Sequence, residues 1–150
     1  MNMARHVNPN VPTVLLVEDS PDERQMYAEY LRIQQFRAVQ INNTEDALAL
    51  ARTADIIVTG ILVPGPFDGV ELVRRLRADN RTKHKPIIVV TACAFEPHRQ
   101  HAYAAGCDGF LPKPCLPGTL LAEIQRALSI RSIRRPQPVP RGTRNGRRVV

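Results

Sequence analysis

The sequence predicts an α/β fold built on a parallel sheet with helices on both faces. Two observations carry that expectation. Short apolar runs recur along the chain, and each is followed by a stretch whose apolar residues return at helical spacing. Strands buried on both faces read as nearly continuous apolar runs, and strict alternation with helices implies a parallel sheet. Such sheets hold ligands outside the carboxyl ends of their strands, where the strand order reverses.

The elements follow in order. Val14–Val17 is a short apolar run that ends in acids, as a buried parallel strand would. Pro21 suits the first turn of a helix, with Ser20 as its N-cap, and Met26, Tyr27, Tyr30, Leu31 and Ile33 then recur at helical spacing. Ala38–Ile41 forms a second strand. Thr44 is a cap for the next helix, whose apolar positions are Ala47, Leu48, Leu50 and Ala51. Asp55–Thr59 is the third strand. Val70, Leu72, Val73 and Leu76 mark a third helix, with Arg74, Arg75 and Arg77 on its wet side. Pro86 precedes the fourth strand, Ile87–Val90, and a fourth helix covers about Pro97–Ala105 before Gly106 stops it. Gly109–Leu111 is a short fifth strand. From Pro117 a last helix buries Leu120, Leu121, Ile124, Ala127 and Leu128.

A chain of 150 residues that is 43% hydrophobic has room for one ordinary domain with its own core. No apolar run approaches the roughly 18 residues that span a bilayer, and Met1 to Pro12 lack the apolar centre of a signal peptide. A cytoplasmic location is expected. Cys93, Cys107 and Cys115 form no C-x-x-C pair, which argues for reduced thiols rather than a disulfide framework or zinc site. The net charge of +7 lies entirely in the last 20 residues, which hold seven arginines and no acid. That segment is rich in proline and poor in apolar residues, so 131–150 is expected to be a disordered tail. Residues 1–11 are expected to be a flexible N-terminus and 12–130 the folded domain.

Polar residues at the strand ends are the candidate chemistry. Two adjacent acids, Glu18 and Asp19, fit a hard cation that prefers oxygen ligands. An exposed acidic turn, or charges favoured at a helix N-terminus, explains them equally well in isolation. Thr91 follows the fourth strand, and Lys113-Pro114 follows the fifth. His98 and His101, three apart on the fourth helix, have no acidic or cysteine partners at ligand spacing and read as a solvated face.

With Gly60 after the third strand and Gly109-Phe110-Leu111 leading to Lys113, this series resembles a bacterial two-component response-regulator receiver domain, over about Thr13 to Ser129. The resemblance implies a flavodoxin-like doubly wound sheet of order 2-1-3-4-5 with five helices. It implies that Glu18 and Asp19, with the backbone carbonyl of Leu62, help bind magnesium. The hydroxyl at Thr91 would contact phosphoryl oxygens, and Lys113 would pair with the phosphoryl group or with the acids. Magnesium and lysine offset charge on a transferring phosphoryl group. Thr91 and Phe110 would form the switch pair, the aromatic turning inward when the hydroxyl is drawn to phosphate. The Lys113-Pro114 bond is usually cis in such domains.

One position departs from the family. Where the resemblance implies an aspartate that accepts the phosphoryl group, this sequence has Gly60, which offers no nucleophile. Losing that anionic ligand should leave only a weak magnesium site. Lys113 is then expected to pair with Glu18 and Asp19, whose mutual repulsion is eased. Thr59 is the nearest hydroxyl, but strand alternation points it to the opposite face. Asp55 lies about five residues away at 3.3 Å each, and Asp68 lies in the following loop.

The leading expectation is a stand-alone receiver-type module of a phosphorelay, too short after Ser129 for a DNA-binding output domain. It would act by protein–protein interaction without aspartyl phosphorylation, and not as an enzyme. Its partners would be a histidine kinase, a phosphotransfer protein or another signalling protein. The face of the fourth helix, fifth strand and fifth helix, with Tyr103 near Phe110, would bind them or a second copy. Two alternatives differ in class: phosphorylation at another acceptor, Thr59 or Asp68, and nucleic-acid binding through the arginine tail, which has no aromatic residues for stacking. Neither nucleic acid nor membrane is an expected partner.

Overall fold

The computed structural model describes residues 8–134, with side chains described through residue 130. The expected arginine-rich tail beyond Arg134, and the first seven residues of the expected flexible N-terminus, lie outside the described residues.

Five parallel strands, β1 (Thr13–Val17), β2 (Arg37–Ile41), β3 (Ile56–Thr59), β4 (Ile87–Thr91) and β5 (Gly109–Pro112), form one sheet in the order β2-β1-β3-β4-β5. The connecting helices are α1 (Pro21–Ile33), α2 (Thr44–Leu50), α3 (Gly69–Ala78), α4 (Glu96–Ala105) and α5 (Pro117–Arg134). This is the predicted doubly wound order. A single 3-10 turn, Ala51–Thr53, extends α2 and was not expected. No helix of the described residues is long and apolar enough to cross a membrane.

Side-chain alternation sorts the core into two layers. Val14, Leu16, Ile56, Val58, Ile88 and Val90 meet Tyr27, Ala28 and Leu31 of α1 and Leu120, Ile124 and Ala127 of α5. Leu15, Val17, Ile57, Ile87 and Val89 meet α2, α3 and α4 through Ala47, Leu72, Val73, Leu76 and Ala102. Both faces of the three central strands are covered, which is why those strands are apolar without a break.

Several boundaries differ from the expected ones for local reasons. Asp55 is not in β3. Its carboxylate accepts from the Thr13 amide at 2.7 Å, and its own amide donates to the Thr13 carbonyl, so it braces the start of β1. Asn43, not Thr44, caps α2: its Oδ1 accepts from the Asp46 amide at 2.8 Å. Thr44 is fully buried, and its hydroxyl donates to the Phe67 carbonyl at 2.7 Å. Met26 and Ile33, expected on the buried stripe of α1, face outward, Ile33 at 76% exposure. Helix α5 runs to Arg134, past the expected domain edge at 130. Ser20 caps α1 as predicted, and Gly106 ends α4 at φ 114°, a backbone conformation that glycine adopts readily.

Candidate functional site

The register aligns the carboxyl ends of the strands. Val17 pairs with Ile41 on one side and Thr59 on the other, Thr59 pairs with Val89, and Thr91 pairs with Pro112. Residues that follow these ends are therefore neighbours: Glu18 and Asp19 after β1, Gly60 after β3, Lys113 after β5. Thr91 is the last residue of β4.

Glu18 is buried at 8% exposure, a position a carboxylate occupies only when it is paired. Its partner is Lys113, whose Nζ donates to Glu18 Oε1. Lys113 Nζ also reaches Glu23 Oε2 in the first turn of α1, at 3.0 Å. One ammonium thus ties β1, α1 and the end of β5 together. Burial, the largest single influence on Lys113, pulls its pKa down, but the hydrogen bonds and charges of Glu18 and Glu23 together hold it above its ordinary value. Glu18 Oε2 accepts from the Ser20 amide at 3.3 Å, and Arg24 donates to the Glu18 carbonyl at 2.8 Å.

Asp19 is exposed and makes no hydrogen bond or ion pair among the described residues. The expected pairing of Lys113 with both acids of the turn is therefore half met: Lys113 takes Glu18 and, in place of Asp19, Glu23. Sequence reasoning missed Glu23. As an acid in a first helical turn it has an ordinary explanation in the helix dipole, and only the placement of β5 makes it a lysine partner.

Thr91 is buried, and its Oγ1 accepts from the Cys93 amide at 2.9 Å, while the Lys113 amide donates to the Thr91 carbonyl at 2.9 Å. Phe110 is buried at 7% exposure, packed in the layer under α2, α3 and α4. The Lys113-Pro114 peptide is cis.

Gly60 donates its amide to the Val17 carbonyl at 3.0 Å, which continues the β1–β3 ladder by one residue. Its φ is not in the left-handed region, and a Cβ there would meet Val63 Cγ2 at 3.3 Å and the Val90 carbonyl at 3.6 Å. The constraint falls instead on Gly69, the first residue of α3. A Cβ on Gly69 would stand 1.8 Å from the Gly60 carbonyl oxygen, and its amide donates to the Ile61 carbonyl at 2.8 Å. The Leu62 carbonyl accepts no hydrogen bond among the described residues.

The alternative acceptors are occupied otherwise. Thr59 is fully buried and its hydroxyl donates to the Gly60 carbonyl at 2.9 Å. Asp68 is the N-cap of α3, its Oδ1 accepting from the Glu71 amide at 2.9 Å. Tyr27 stands behind the site. Its hydroxyl donates to the Cys115 carbonyl at 2.7 Å, and burial first, then nearby negative charge, pushes its pKa up to about 12.

The donor set suits a hard cation only in part. Glu18, Asp19 and the open Leu62 carbonyl offer oxygen ligands, but one carboxylate already holds an ammonium. Among the described residues, no three His, Cys, Asp or Glu side chains converge in a metal-holding cluster. A separate groove of about 860 Å³ lies between α2 and the end of α3, lined by Leu48, Ala49, Arg52, Arg75, Asp79 and Arg81. None of the strand-end residues lines it.

Comparison with known proteins adds a family. The model of the Response regulator receiver domain matches residues 14–125. The phosphate regulon transcriptional regulatory protein PhoB of Pseudomonas aeruginosa is 33% identical over 118 residues, covering 77% of this chain and 51% of PhoB. The transcriptional regulatory protein BaeR of Escherichia coli is 31% identical over 124 residues, 81% of this chain and 50% of BaeR. The chain thus spans about half the length of these two relatives. Among solved structures, the chemotaxis response regulator CheY4 of Vibrio cholerae superposes with a TM-score of 0.72 at 31% identity, covering 78% of this chain and 98% of CheY4. The receiver domain of the Pseudomonas aeruginosa sensor histidine kinase PA1611, solved with magnesium coordinated in its active-site cleft, gives a TM-score of 0.73 at 28% identity, covering 79% of this chain and 98% of that domain.

Proposed function

The chain belongs to the response regulator receiver domain family, and from that membership we propose that it signals in a two-component system by protein–protein interaction, without aspartyl phosphorylation. The observation that carries this reading is Gly60. It follows β3 beside Glu18, Lys113 and Thr91, where a phosphoryl-accepting carboxylate would have to stand, and it has no side chain. Two further features support it. The hydroxyl of Thr59 is buried and already bonded, and the carboxylate of Asp68 is engaged as a helix cap.

The roles of the remaining residues are part of the same proposal. Thr91 and Lys113 occupy the phosphoryl-contacting positions, and Thr91 with Phe110 the switch positions. Glu18, Asp19 and the Leu62 carbonyl would hold magnesium weakly; such an ion would offset negative charge at the strand ends. Phe110 is already buried with no phosphoryl group drawing on the Thr91 hydroxyl, so the surface around it would not depend on phosphorylation. That surface presents Phe95 at 77%, Leu116 at 74% and Tyr103 at 41% exposure along α4 and the start of α5. Large apolar groups held in water suit a protein partner such as a histidine kinase or a phosphotransfer protein, or a second copy of the chain.

The test is acetyl-phosphate treatment with magnesium, followed by intact-mass measurement. The wild type should gain no phosphoryl mass. Gly60→Asp should gain one, because a side chain there needs only a small shift of the Val63 methyl. Adding Asp19→Asn should weaken that labelling by removing a metal ligand. Phosphorylation of the wild type at Thr59 or Asp68 would overturn the reading.

A further inference from the structure

We propose that the groove between α2 and the end of α3 is a docking site for a peptide segment of a partner protein, one in which an apolar side chain is flanked by carboxylates. This is a second contact face, beside α2 rather than along α4 and α5, and it does not depend on whether the domain is phosphorylated.

The lining sets the chemistry. Leu48 and Ala49 of α2 and Ala78 of α3 make its apolar part, and the two alanines carry only a methyl that would stand in a ligand's way. Arg52, Arg75 and Arg81 line it together with Glu45 and Asp79. Arg81 is already paired, its Nε and Nη2 donating to the two carboxylate oxygens of Asp79 at 3.2 and 3.0 Å. With that pair neutral, Arg52 and Arg75 outweigh Glu45.

Both guanidiniums are placed to receive a carboxylate. Arg52 lies in the 3-10 turn after α2, and its carbonyl accepts from Lys85 Nζ at 3.0 Å, so its backbone is held. Its side chain is exposed and makes no hydrogen bond or ion pair among the described residues. Arg75 lies over the Phe67 ring, 4.1 Å from the centroid, which fixes the plane of its guanidinium. Its other contact is a long 3.5 Å reach to Glu71, weak at that distance. Phe67 is itself held, since its carbonyl accepts from the Thr44 hydroxyl at 2.7 Å. Arginine forks set in this way match carboxylate geometry.

Other anions fit less well. Among the described residues no aromatic side chain lines the groove, so nothing there stacks a base. Glu45 and Asp79 repel a run of phosphates, but a segment of mixed composition tolerates them. Ala49, Arg52, Arg75, Ala78 and Arg81 are all exposed, so the groove is too open to bury about 70–90% of a small ligand's surface, as small-molecule sites do. A peptide needs only one side covered. Its apolar side chain leaves water against Leu48, and its carboxylates reach Arg52 and Arg75.

The test uses the full chain, isotope-labelled, and a blocked synthetic peptide with a central leucine between glutamates. Binding is read from the amide shifts of Leu48, Ala49 and Ala78, so that attraction to the arginine-rich residues 131–150 is not counted. Wild type should show saturating shifts there that weaken as salt rises. Arg52→Gln and Arg75→Gln should each weaken binding about fivefold, the size of one exposed charged contact. Ala49→Glu should abolish it by filling and charging the wall, and Ala78→Glu makes the same test from the other wall. Arg74→Gln, at an exposed arginine of α3 outside the groove, should leave affinity unchanged. A peptide with glutamines in place of the glutamates should bind more weakly, and a thymidine oligonucleotide should leave these amides unmoved. Equal affinity for the glutamine peptide, indifference to both arginine changes, or oligonucleotide binding at these amides as tight as the peptide's would overturn the proposal. So would shifts absent from the groove or confined to α4 and the start of α5. Acetyl-phosphate labelling of the wild type would sink the proposed function and leave this result standing.

Discussion

Two cationic side chains tie distant parts of this domain together, and they do it in opposite ways. Arg77, near the end of α3, donates to the carbonyls of Gly106 at 2.9 Å and Lys83 at 3.0 Å, to the Lys85 carbonyl, and to Asp108 Oδ2 at 2.8 Å. Asp108 Oδ2 in turn accepts from the Ile87 amide, so the cluster fixes the start of β4 and the turn before β5. Lys113 joins β1, α1 and β5 but bonds only to two carboxylates. Most of Arg77's partners are backbone atoms, which cannot rotate away. The partners of Lys113 are side chains on separate elements, either of which can be held or released. The first cluster is a rivet, the second an exchangeable contact, and only the second stands at the carboxyl ends of the strands.

The sharpest way to break this contrast is Arg77→Met. It leaves carbonyls and a carboxylate without their donor, and the expected loss is about 2–3 kcal/mol, nearly independent of salt. Urea unfolding at low and at 1 M salt would check it. A loss that vanished in high salt would make Arg77 one more surface charge.

Lys113→Met should cost less, below the roughly 3–5 kcal/mol of a fully buried pair that loses one partner, because Glu23 is partly solvated and water can reach Glu18 once the arm is gone. The difference from wild type should shrink at 1 M salt, where screening weakens the pairs that the mutation removes. A larger, salt-independent loss than that of Arg77→Met would reverse the assignment of rivet and exchangeable contact.

The smallest effect is a pH dependence at the Arg77 end. Burial, followed by the Asp108 charge, pushes the Cys107 thiol up to about 11, and Arg77 acts against that rise. The folded state keeps this thiol neutral, while the unfolded chain loses its proton from about pH 9. Its contribution is therefore intact below pH 9 and declines as the pH rises toward 11, with roughly 1–2 kcal/mol lost by pH 10. Urea midpoints at pH 8, 9 and 10 should fall less steeply in Cys107→Ala than in wild type. Equal slopes would show that the alkaline loss arises elsewhere, from Tyr27 or Lys113.

The contrast also explains what could be read from the residues alone. Strand–helix alternation is written in local hydrophobic periodicity, so the order of elements and the alignment of Glu18, Gly60, Thr91 and Lys113 at strand ends were legible. Pairings between elements were not. Glu23 looks like any first-turn acid, and Arg77 looks like a third solvated arginine beside Arg74 and Arg75, although its side chain is only 21% exposed. The cap of α2 was misread for a different reason. Asn42, Asn43 and Thr44 can all cap a helix, and the choice was made by the Phe67 carbonyl, which draws the Thr44 hydroxyl inward.

That buried threonine has a mechanical consequence. The Thr44 amide donates to the Pro64 carbonyl at 2.9 Å, its hydroxyl holds Phe67, and Gly65 packs so closely that a Cβ there would lie 2.3 Å from Thr44 Oγ1. The segment after β3, which carries the Leu62 carbonyl, is thus pinned along its middle to the first turn of α2. Loop and helix form a single lever whose short arm ends at the strand tips. Whatever grips that short arm, an ion or a partner's side chain, pulls on α2 as well, on the flank of the sheet away from Phe95 and Tyr103.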